Sequence, residues 1–139
     1  MTRNVFIPGS VFYKGEPVRF KVWEDNGFSW MDRVRMNDGE YVTQASLTDI
    51  NYKVIDLDDI ATVPADIALV KTTVVFDTLQ TSDPSWVQDT TGYNFKWDVP
   101  ASVIPTGNKK YRIEIRFNPT SGEDYYLVAE VEAMSIYGS

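Results

Sequence analysis

The chain of 139 residues contains neither cysteine nor histidine. The lack of cysteine excludes a disulfide framework, a thiol nucleophile and a zinc site built on thiolates. The lack of histidine excludes serine–histidine and cysteine–histidine catalysis, together with metal sites that have imidazole ligands. Many of the familiar catalytic and metal centres are therefore excluded for this protein.

Long apolar runs and an excess of positive charge are also missing. No stretch approaches the roughly 20 apolar residues of a membrane-spanning helix, and residues 1–15 lack the apolar core of a signal peptide. The 13 basic and 20 acidic residues give a net charge of −7, which disfavours nucleic acid and anionic membranes as partners. We expect a protein that is made in the cytoplasm and binds neither of them.

Hydrophobic and aromatic side chains, in contrast, are plentiful. Hydrophobic residues make up 43% of the chain and aromatic residues 14%. The first figure is typical of a folded domain with a core. The second favours β-strands, whose pleated surfaces accommodate aromatic side chains well. The length suits a single domain.

Alternation of apolar and polar residues with a period of two predicts four half-buried strands. They are PVRFKVW (17–23), YNFKWDVP (93–100), YRIEIRF (111–117) and YYLVAEVEAMSI (125–136). Weaker strands are predicted at 47–57 and 68–79, and residues 118–124 are typical of a hairpin turn. About six strands at this spacing predict a β-sandwich, with a barrel as the alternative.

Two regions do not fit the predicted sandwich: an N-terminal arm, residues 1–13, and a loop at 27–41 that lies inside an insertion at 25–46. Both carry many large side chains, although loops normally run over the surface and are polar. In the arm these residues are Val5, Phe6, Ile7, Val11 and Phe12. In the loop they are Phe28, Trp30, Met31, Arg33, Arg35, Met36 and Tyr41. Arginine beside aromatic residues is typical of interface cores.

The arm and the loop either complete the core of the domain or bind neighbouring subunits. Burying one large apolar side chain stabilises a protein by about 1.5 to 3 kcal/mol, so leaving this many in water is unfavourable. We predict that both regions dock on other subunits, the arm by adding backbone hydrogen bonds to an exposed sheet edge. Met31 and Met36 suit such a contact because thioether side chains adapt to irregular gaps.

Three further patterns point to other kinds of function. DLDD at 56–59 has alternate carboxylates that would suit calcium, but the glycine and distal glutamate of an EF-hand loop are missing, which favours a solvated strand end. No pair among the 20 acidic residues is singled out as the two carboxylates of a hydrolase. Exposed Trp23, Trp30 and Trp86 would suit a sugar, although Trp86 is better explained as a packing lid. We predict no catalytic residue, no metal ligand and no cofactor.

Recognisable motifs follow one another along the chain: KGEPVRFKVWEDNG, YKVIDLDD, TGYNFKWDVPAS, GNKKYRIEIRF and GEDYYLVAEVEAMSI. Together they resemble the small immunoglobulin-like structural proteins of tailed bacteriophages. The residues that fit the family pattern are Lys14, Gly15, Val18, Phe20, Val22, Thr91, Gly92, Tyr93, Phe95, Trp97, Pro100, Ala101, Tyr111, Ile113, Ile115 and Phe117. The resemblance covers residues 14–24 and 47–136, and the 25–46 insertion departs from it.

This resemblance implies an all-β, immunoglobulin-like β-sandwich at residues 14–139, preceded by the arm at 1–13. It also implies a non-enzymatic virion structural protein, with a capsid decoration or cement protein as the leading expectation. The arm and the 27–41 loop would then bind the major capsid protein or other virion proteins, with homo-oligomeric contacts in the particle. The alternatives are a head-to-tail connector, a neck, tail or baseplate component and, from another class, a carbohydrate-binding module for host adsorption.

Overall fold

The computed structural model of the chain describes residues 18–36 and 38–136 in full, together with the backbone of residues 5–6 and 10–11. Within these ranges the chain is mostly β. The strands are β1 (Val5–Phe6), β2 (Ser10–Val11), β3 (Val18–Trp23), β4 (Phe28–Val34), β5 (Leu47–Asp56), β6 (Ile67–Leu69), β7 (Val75–Gln80), β8 (Tyr93–Val99), β9 (Lys109–Pro119) and β10 (Tyr125–Met134). The short helical segments are α1 (Lys71–Val74) and the 3₁₀ turns Gln44–Ser46 and Ala101–Val103.

The strands form two sheets that pack face to face as a sandwich. The first has the order β1-β4-β8-β7, with β2 also paired to β4, and the second has the order β3-β10-β9-β5-β6. In the second sheet β3 runs parallel to β10, whereas β9 is antiparallel to β10 and to β5. The predicted all-β sandwich is therefore confirmed. The neighbours β4, β8 and β7 in one sheet and β5, β9 and β10 in the other are consistent with an immunoglobulin-like arrangement.

One side-chain contact of the second sheet is also consistent with that arrangement. Tyr111 lies near the start of β9, and its hydroxyl donates a hydrogen bond of 3.4 Å to the carbonyl oxygen of Thr106, five residues upstream. Immunoglobulin-like sandwiches carry such a tyrosine corner at the equivalent turn. The ring of Tyr111 is buried, so the hydroxyl fixes the incoming chain while the ring packs in the core.

The strands with clean alternation lie where the sequence predicts them. β3, β8, β9 and β10 coincide with the four alternating segments, and β5 coincides with the weaker strand at 47–57. The hairpin between β9 and β10 places Ile115 opposite Leu127 and Ile113 opposite Ala129, and these four side chains are all buried. The period-two pattern therefore identified the core-facing side of the second sheet correctly.

The segment at 68–79 is a different case. It was predicted as one strand, but the chain forms β6 in the second sheet, turns through α1 and enters the first sheet as β7. That prediction is wrong in its continuity. The physical reason is that Leu69 of β6 and Val75 of β7 both pack on the main core, one from each of the two sheets.

The predicted loop at 27–41 is likewise wrong over half its length, because Phe28–Val34 is strand β4. It pairs with β8 in antiparallel register, with Phe28 opposite Val99 and Trp30 opposite Trp97. Six of the seven residues of β4 are buried, on both faces of the sheet. A strand covered on both faces shows no alternation of apolar and polar residues, which is why the sequence pattern looked irregular.

After β4 the chain makes a short hairpin, and this explains the rest of the insertion. Arg35 and Tyr41 form an isolated antiparallel bridge, and the Met36 amide donates a 2.7 Å hydrogen bond to the Glu40 carbonyl oxygen. Gly39 turns the chain with a φ of 88°, which glycine adopts without the strain of a side chain. The 25–46 insertion therefore contains strand β4 of the first sheet, the bridged turn after it and the 3₁₀ turn Gln44–Ser46.

Trp30 is the centre of the contact between the two sheets. Its indole meets Phe20 of β3 edge-on at 5.6 Å between ring centroids and Phe95 of β8 at 6.1 Å. Phe20 also packs against Phe28 at 4.7 Å, and Phe95 against Phe117 of β9 at 5.8 Å. Offset and edge-to-face aromatic pairs add about 0.5 to 1.5 kcal/mol each beyond the area that they bury.

We predict that Trp30→Ala lowers the free energy of unfolding by about 3 to 5 kcal/mol, because it leaves a large cavity between the sheets. Trp23→Ala is the matched control, since Trp23 is 43% exposed whereas Trp30 is 0% exposed, and it should cost less than about 1 kcal/mol. Urea denaturation of both variants, followed by circular dichroism, measures the difference. Equal losses in the two variants would contradict this account of the core.

Candidate functional site

The residues predicted to bind a partner divide into those that the fold buries and those that it leaves accessible. Phe28, Trp30 and Met31 are 2%, 0% and 0% exposed. The prediction that these three bind a neighbouring subunit is wrong, because they form the core of their own domain. Met31 lies in a second apolar cluster with Trp86 and Tyr93, which confirms that Trp86 packs as a lid rather than standing free for a sugar.

Arg33 holds the 81–92 loop, which carries Trp86, in place. Its guanidinium donates hydrogen bonds to the Asp89 carboxylate at 2.9 Å and to the Gly92 carbonyl oxygen at 3.0 Å. The backbone N–H of Gly92 and the Arg33 side chain both lower the pKa of Asp89, because they stabilise its charged form. Arg33 was predicted as a partner contact, and the structure places its charged group on the 81–92 loop of its own chain.

Arg35, Met36 and Tyr41 also make their contacts within the chain. The Arg35 guanidinium donates a 2.9 Å hydrogen bond to the Tyr41 hydroxyl and lies 4.2 Å from the centroid of the same ring. A second bond runs to the Gly39 carbonyl oxygen at 3.0 Å, and Met36 packs against the main core. The structure brings these residues together as the hairpin after β4, and their binding to a partner stays a prediction.

The predicted arm lies largely outside the described residues, which is where Ile7 and Phe12 fall. Of Val5, Phe6 and Val11 only the backbone is described. β1 pairs in parallel with β4 at Val5–Ser29 and Phe6–Trp30, and β2 pairs with β4 further along. The arm does add to a sheet edge, as predicted, but the edge belongs to its own chain. Its binding to a neighbour stays a prediction.

Two polar side chains are buried at or beside strand β4. Asn94 of β8 accepts a 2.7 Å hydrogen bond from the Val34 amide and donates to the Val34 and Val42 carbonyl oxygens at 3.0 and 3.3 Å. Asn94 thereby joins the end of β4 to residue 42, beside the backbone hydrogen bond of 3.1 Å from the Val42 amide to the Val34 carbonyl oxygen. Asp32 accepts one bond, from the Arg33 amide, while its Oδ2 atom and the Trp30 Nε1 atom lack hydrogen-bond partners.

Burial raises the pKa of Asp32 well above its ordinary value of 3.8, and the Arg33 amide and the Arg33 charge offset this only in part. A raised pKa means that the folded state binds the proton more tightly than the unfolded state. The folded state is therefore favoured below pH 3.8, and that advantage is lost as the pH rises through the folded pKa.

We predict that Asp32→Asn raises the melting temperature at pH 7 and changes it little near pH 3.5, because the amide does not ionise and so removes the advantage that ionisation of Asp32 gives to the unfolded chain. The amide oxygen can still accept the Arg33 amide hydrogen. Calorimetry at both pH values measures the effect, with Asp58→Asn as the exposed control. A stabilisation of equal size at the two pH values would contradict a raised pKa of Asp32 in the folded chain.

The accessible apolar side chains are concentrated elsewhere, in residues 60–70, which we name the edge segment. Ile60, Val63, Ile67 and Val70 are 73%, 84%, 48% and 62% exposed, and they are half of the eight large hydrophobic residues that are exposed in the described part of the chain. The segment ends in β6, which pairs with β5 on one side and is the last strand of its sheet. Sequence reasoning missed this surface, because isolated apolar residues between turn residues give no signal of exposure.

A second accessible feature is a shallow groove of about 810 Å³ at one end of the second sheet. It is lined by Lys21, Leu57, Asp58, Asn108, Lys109, Lys110, Glu132, Ala133, Met134 and Ser135. Trp23 stands at its border, because it is opposite Met134 in the parallel register of β3 and β10. Trp23 is the exposed member of the four tryptophans, since Trp30, Trp86 and Trp97 are all buried.

The acidic run DLDD contributes one wall of this groove. Asp56 accepts a 2.7 Å hydrogen bond from Lys109, which with the Asp58 amide lowers the pKa of Asp56. Within residues 18–36 and 38–136 no three acidic side chains converge as a metal site would require. The Asp56 carboxylate is thus engaged with Lys109 and the Asp59 carboxylate with Thr62, in the turn that follows β5.

Comparison with known proteins shows no family for this chain. No protein-family model matches the chain, and no curated protein matches it. In the part of the chain that the structure describes, no helix is both long and apolar enough to cross a membrane.

Proposed function

We propose that this chain is a non-enzymatic structural protein of a bacteriophage particle, a decoration or cement protein that binds capsid subunits. The sequence motifs that resemble phage immunoglobulin-like proteins support the proposal, and the two-sheet sandwich suits it. Fold alone does not specify a role, so the proposal depends on a surface that can bind protein. The edge segment is the observation that carries it.

The edge segment has the features of a protein-binding surface. Scattered single apolar residues on a surface need no explanation, but a concentration of them marks interaction sites. Ile60 and Val63 lie in the turn before β6, and Ile67 and Val70 lie on or beside β6 itself. A short strand at a sheet edge offers free backbone groups to an added strand. Apolar contacts and backbone pairing can therefore act together on a capsid subunit.

The proposed contact differs from the one that the sequence predicted. The 27–41 segment was expected to provide it, but β4 is buried, and the edge segment takes its place as the accessible apolar surface. A single edge of this size makes a modest interface. On a capsid, many copies bind an array of identical subunits, and any neighbour contacts between copies multiply the avidity.

We predict that Val63→Asp weakens binding of the purified protein to particles that lack it by at least tenfold, or about 1.4 kcal/mol, because a charge would be buried in an apolar contact. Val87→Asp is the matched control, since both valines are 84% exposed, and it should bind normally. Sedimentation of particles with labelled protein measures the bound fraction, and thermal melting checks that both variants fold.

Electron cryomicroscopy of the loaded particles then tests the location. Density on the capsid surface in contact with the edge segment is the expected result. Density confined to the neck, tail or baseplate would replace decoration by the connector or tail alternatives. If mass spectrometry finds the chain absent from purified particles, or if Val63→Asp and Val87→Asp bind equally, the proposal is wrong.

A further inference from the structure

We propose that the groove between β3 and the end of β5 binds an uncharged saccharide, with the Trp23 indole as the surface on which a sugar ring stacks. The inference is independent of the capsid role, since it concerns a different surface. It depends on the position of Trp23, the polar groups of the groove, their charge balance, and the rigidity of the groove's end.

The strand register builds the floor of the groove in two rows. Trp23 of β3 is opposite Met134 of β10, and Lys21 of β3 is opposite Glu132 of β10, which is in turn opposite Lys110 of β9. Neighbouring strands are about 4.8 Å apart, so the polar row extends across three strands and the apolar row across two. An exposed apolar surface therefore lies directly beside a row of polar side chains.

The apolar row suits a sugar because a pyranose ring has one face made largely of C–H groups. Those hydrogens carry partial positive charge, and the face of an indole carries the negative part of its quadrupole. Trp23 is 43% exposed, so its ring is held by the strand while a large part of it remains accessible. Ligand sites typically combine such an apolar surface with a few polar groups that fix orientation.

The charges of the groove largely cancel, which favours an uncharged ligand. Lys109 is paired with Asp56 at 2.7 Å, and Lys21 lies 3.5 Å from Glu132. Lys110 and Asp58 are left over, one cation and one carboxylate. Together they offer donors and an acceptor to hydroxyl groups, which both donate and accept. A phosphate or carboxylate ligand would find two of the three lysines already paired and would meet Asp58 and Glu132 as like charges.

The end of the groove is held rigidly by Glu24. Its carboxylate accepts hydrogen bonds from the Gly107 amide at 2.8 Å and the Ile136 amide at 3.0 Å. A Cβ atom on Gly107 would lie 2.6 Å from the Ser135 Cα atom, so only glycine permits this approach. Asn108 follows with a φ of 59°, a conformation that asparagine tolerates better than most residues. A groove fixed in this way loses little conformational entropy on binding.

The test is an NMR titration of the full-length, ¹⁵N-labelled chain with neutral tetrasaccharides of glucose, galactose and N-acetylglucosamine, and with a uronic-acid tetrasaccharide for comparison. The chain has four tryptophans and hence four indole N–H signals, which Trp23→Phe assigns. We expect one or more neutral sugars to shift the Trp23 signal at millimolar concentration and to leave the three buried indoles unchanged. Binding should be insensitive to salt, because no net charge is neutralised.

Variants separate a saccharide site from unspecific contact. Trp23→Ala should weaken binding about tenfold through loss of the stacking surface, and Asp58→Ala should weaken it by a similar factor through loss of a charged acceptor. Tyr126→Ala is the matched control, since Tyr126 is an exposed aromatic residue on β10, away from the groove, and it should bind within about twofold of the parent chain.

Three outcomes would overturn the inference. The first is that no tetrasaccharide shifts the Trp23 signal at millimolar concentration. The second is that only the uronic-acid sugar binds, with an affinity that falls as salt is added. The third is that Trp23→Ala and Tyr126→Ala weaken binding equally. Should Trp23→Ala fail to fold, unchanged binding by Asp58→Ala and Lys110→Gln would overturn it in the same way.

Discussion

The burial of strand β4 on both of its faces is the constraint on which the rest of the structure depends. On the inner face Trp30 contacts Phe20 of the opposite sheet and Phe95 of its own sheet. On the outer face Met31 needs a cover, and the 81–92 loop supplies it by laying Trp86 over the sheet. The pairs Lys96–Asp83 at 2.6 Å and Arg33–Asp89 at 2.9 Å hold that loop. Because the burial of large aromatic area outweighs ion pairs of this kind, the pairs orient the lid while the apolar contacts stabilise it.

This constraint also marks how far the fold could be predicted from the sequence. β9 and β10 each have one buried and one more exposed face, so their alternation was visible and their core residues were correctly predicted. In β8 the pattern holds for Phe95, Trp97 and Val99, whereas Asn94 is buried and Tyr93 packs in the second cluster. β4 has two dry faces and was mistaken for a loop, since alternation requires a solvated side. The division of 68–79 between two sheets was invisible for a related reason. An apolar residue in a sequence indicates burial but not the sheet in which it is buried, and that choice is made by tertiary contacts.

The candidate surfaces were harder to predict than the fold. A contact residue and a core residue have the same side chain, and only the folded chain separates them. The sequence therefore predicts a partner contact for Phe28 and Trp30, which are buried, and none for Ile60 and Val63, which are exposed. The groove depends on the register between β3 and β10, which places Trp23 beside Met134 over a distance of more than a hundred residues in sequence. No local pattern encodes that neighbour, although the exposed side of β3 did place Lys21 and Trp23 on one face.

The two accessible surfaces are joined by one continuous stretch of chain. Leu57 and Asp58 form a wall of the groove, and the edge segment begins two residues later. The turn between them is fixed by its own hydrogen bonds: the Asp59 amide donates to the Asp56 carbonyl oxygen at 3.0 Å, and the Thr62 hydroxyl donates to the Asp59 carboxylate at 2.7 Å. Lys53 of β5 and Asp66, 3.6 Å apart, hold the end of the edge segment against β5.

Exposed apolar residues presented on such a turn lose less entropy on binding than residues on an unsupported loop. The segment thus combines exposure with a fixed shape, and a protein docked on it would lie beside the groove without covering Trp23, which stands at the opposite edge of the same sheet.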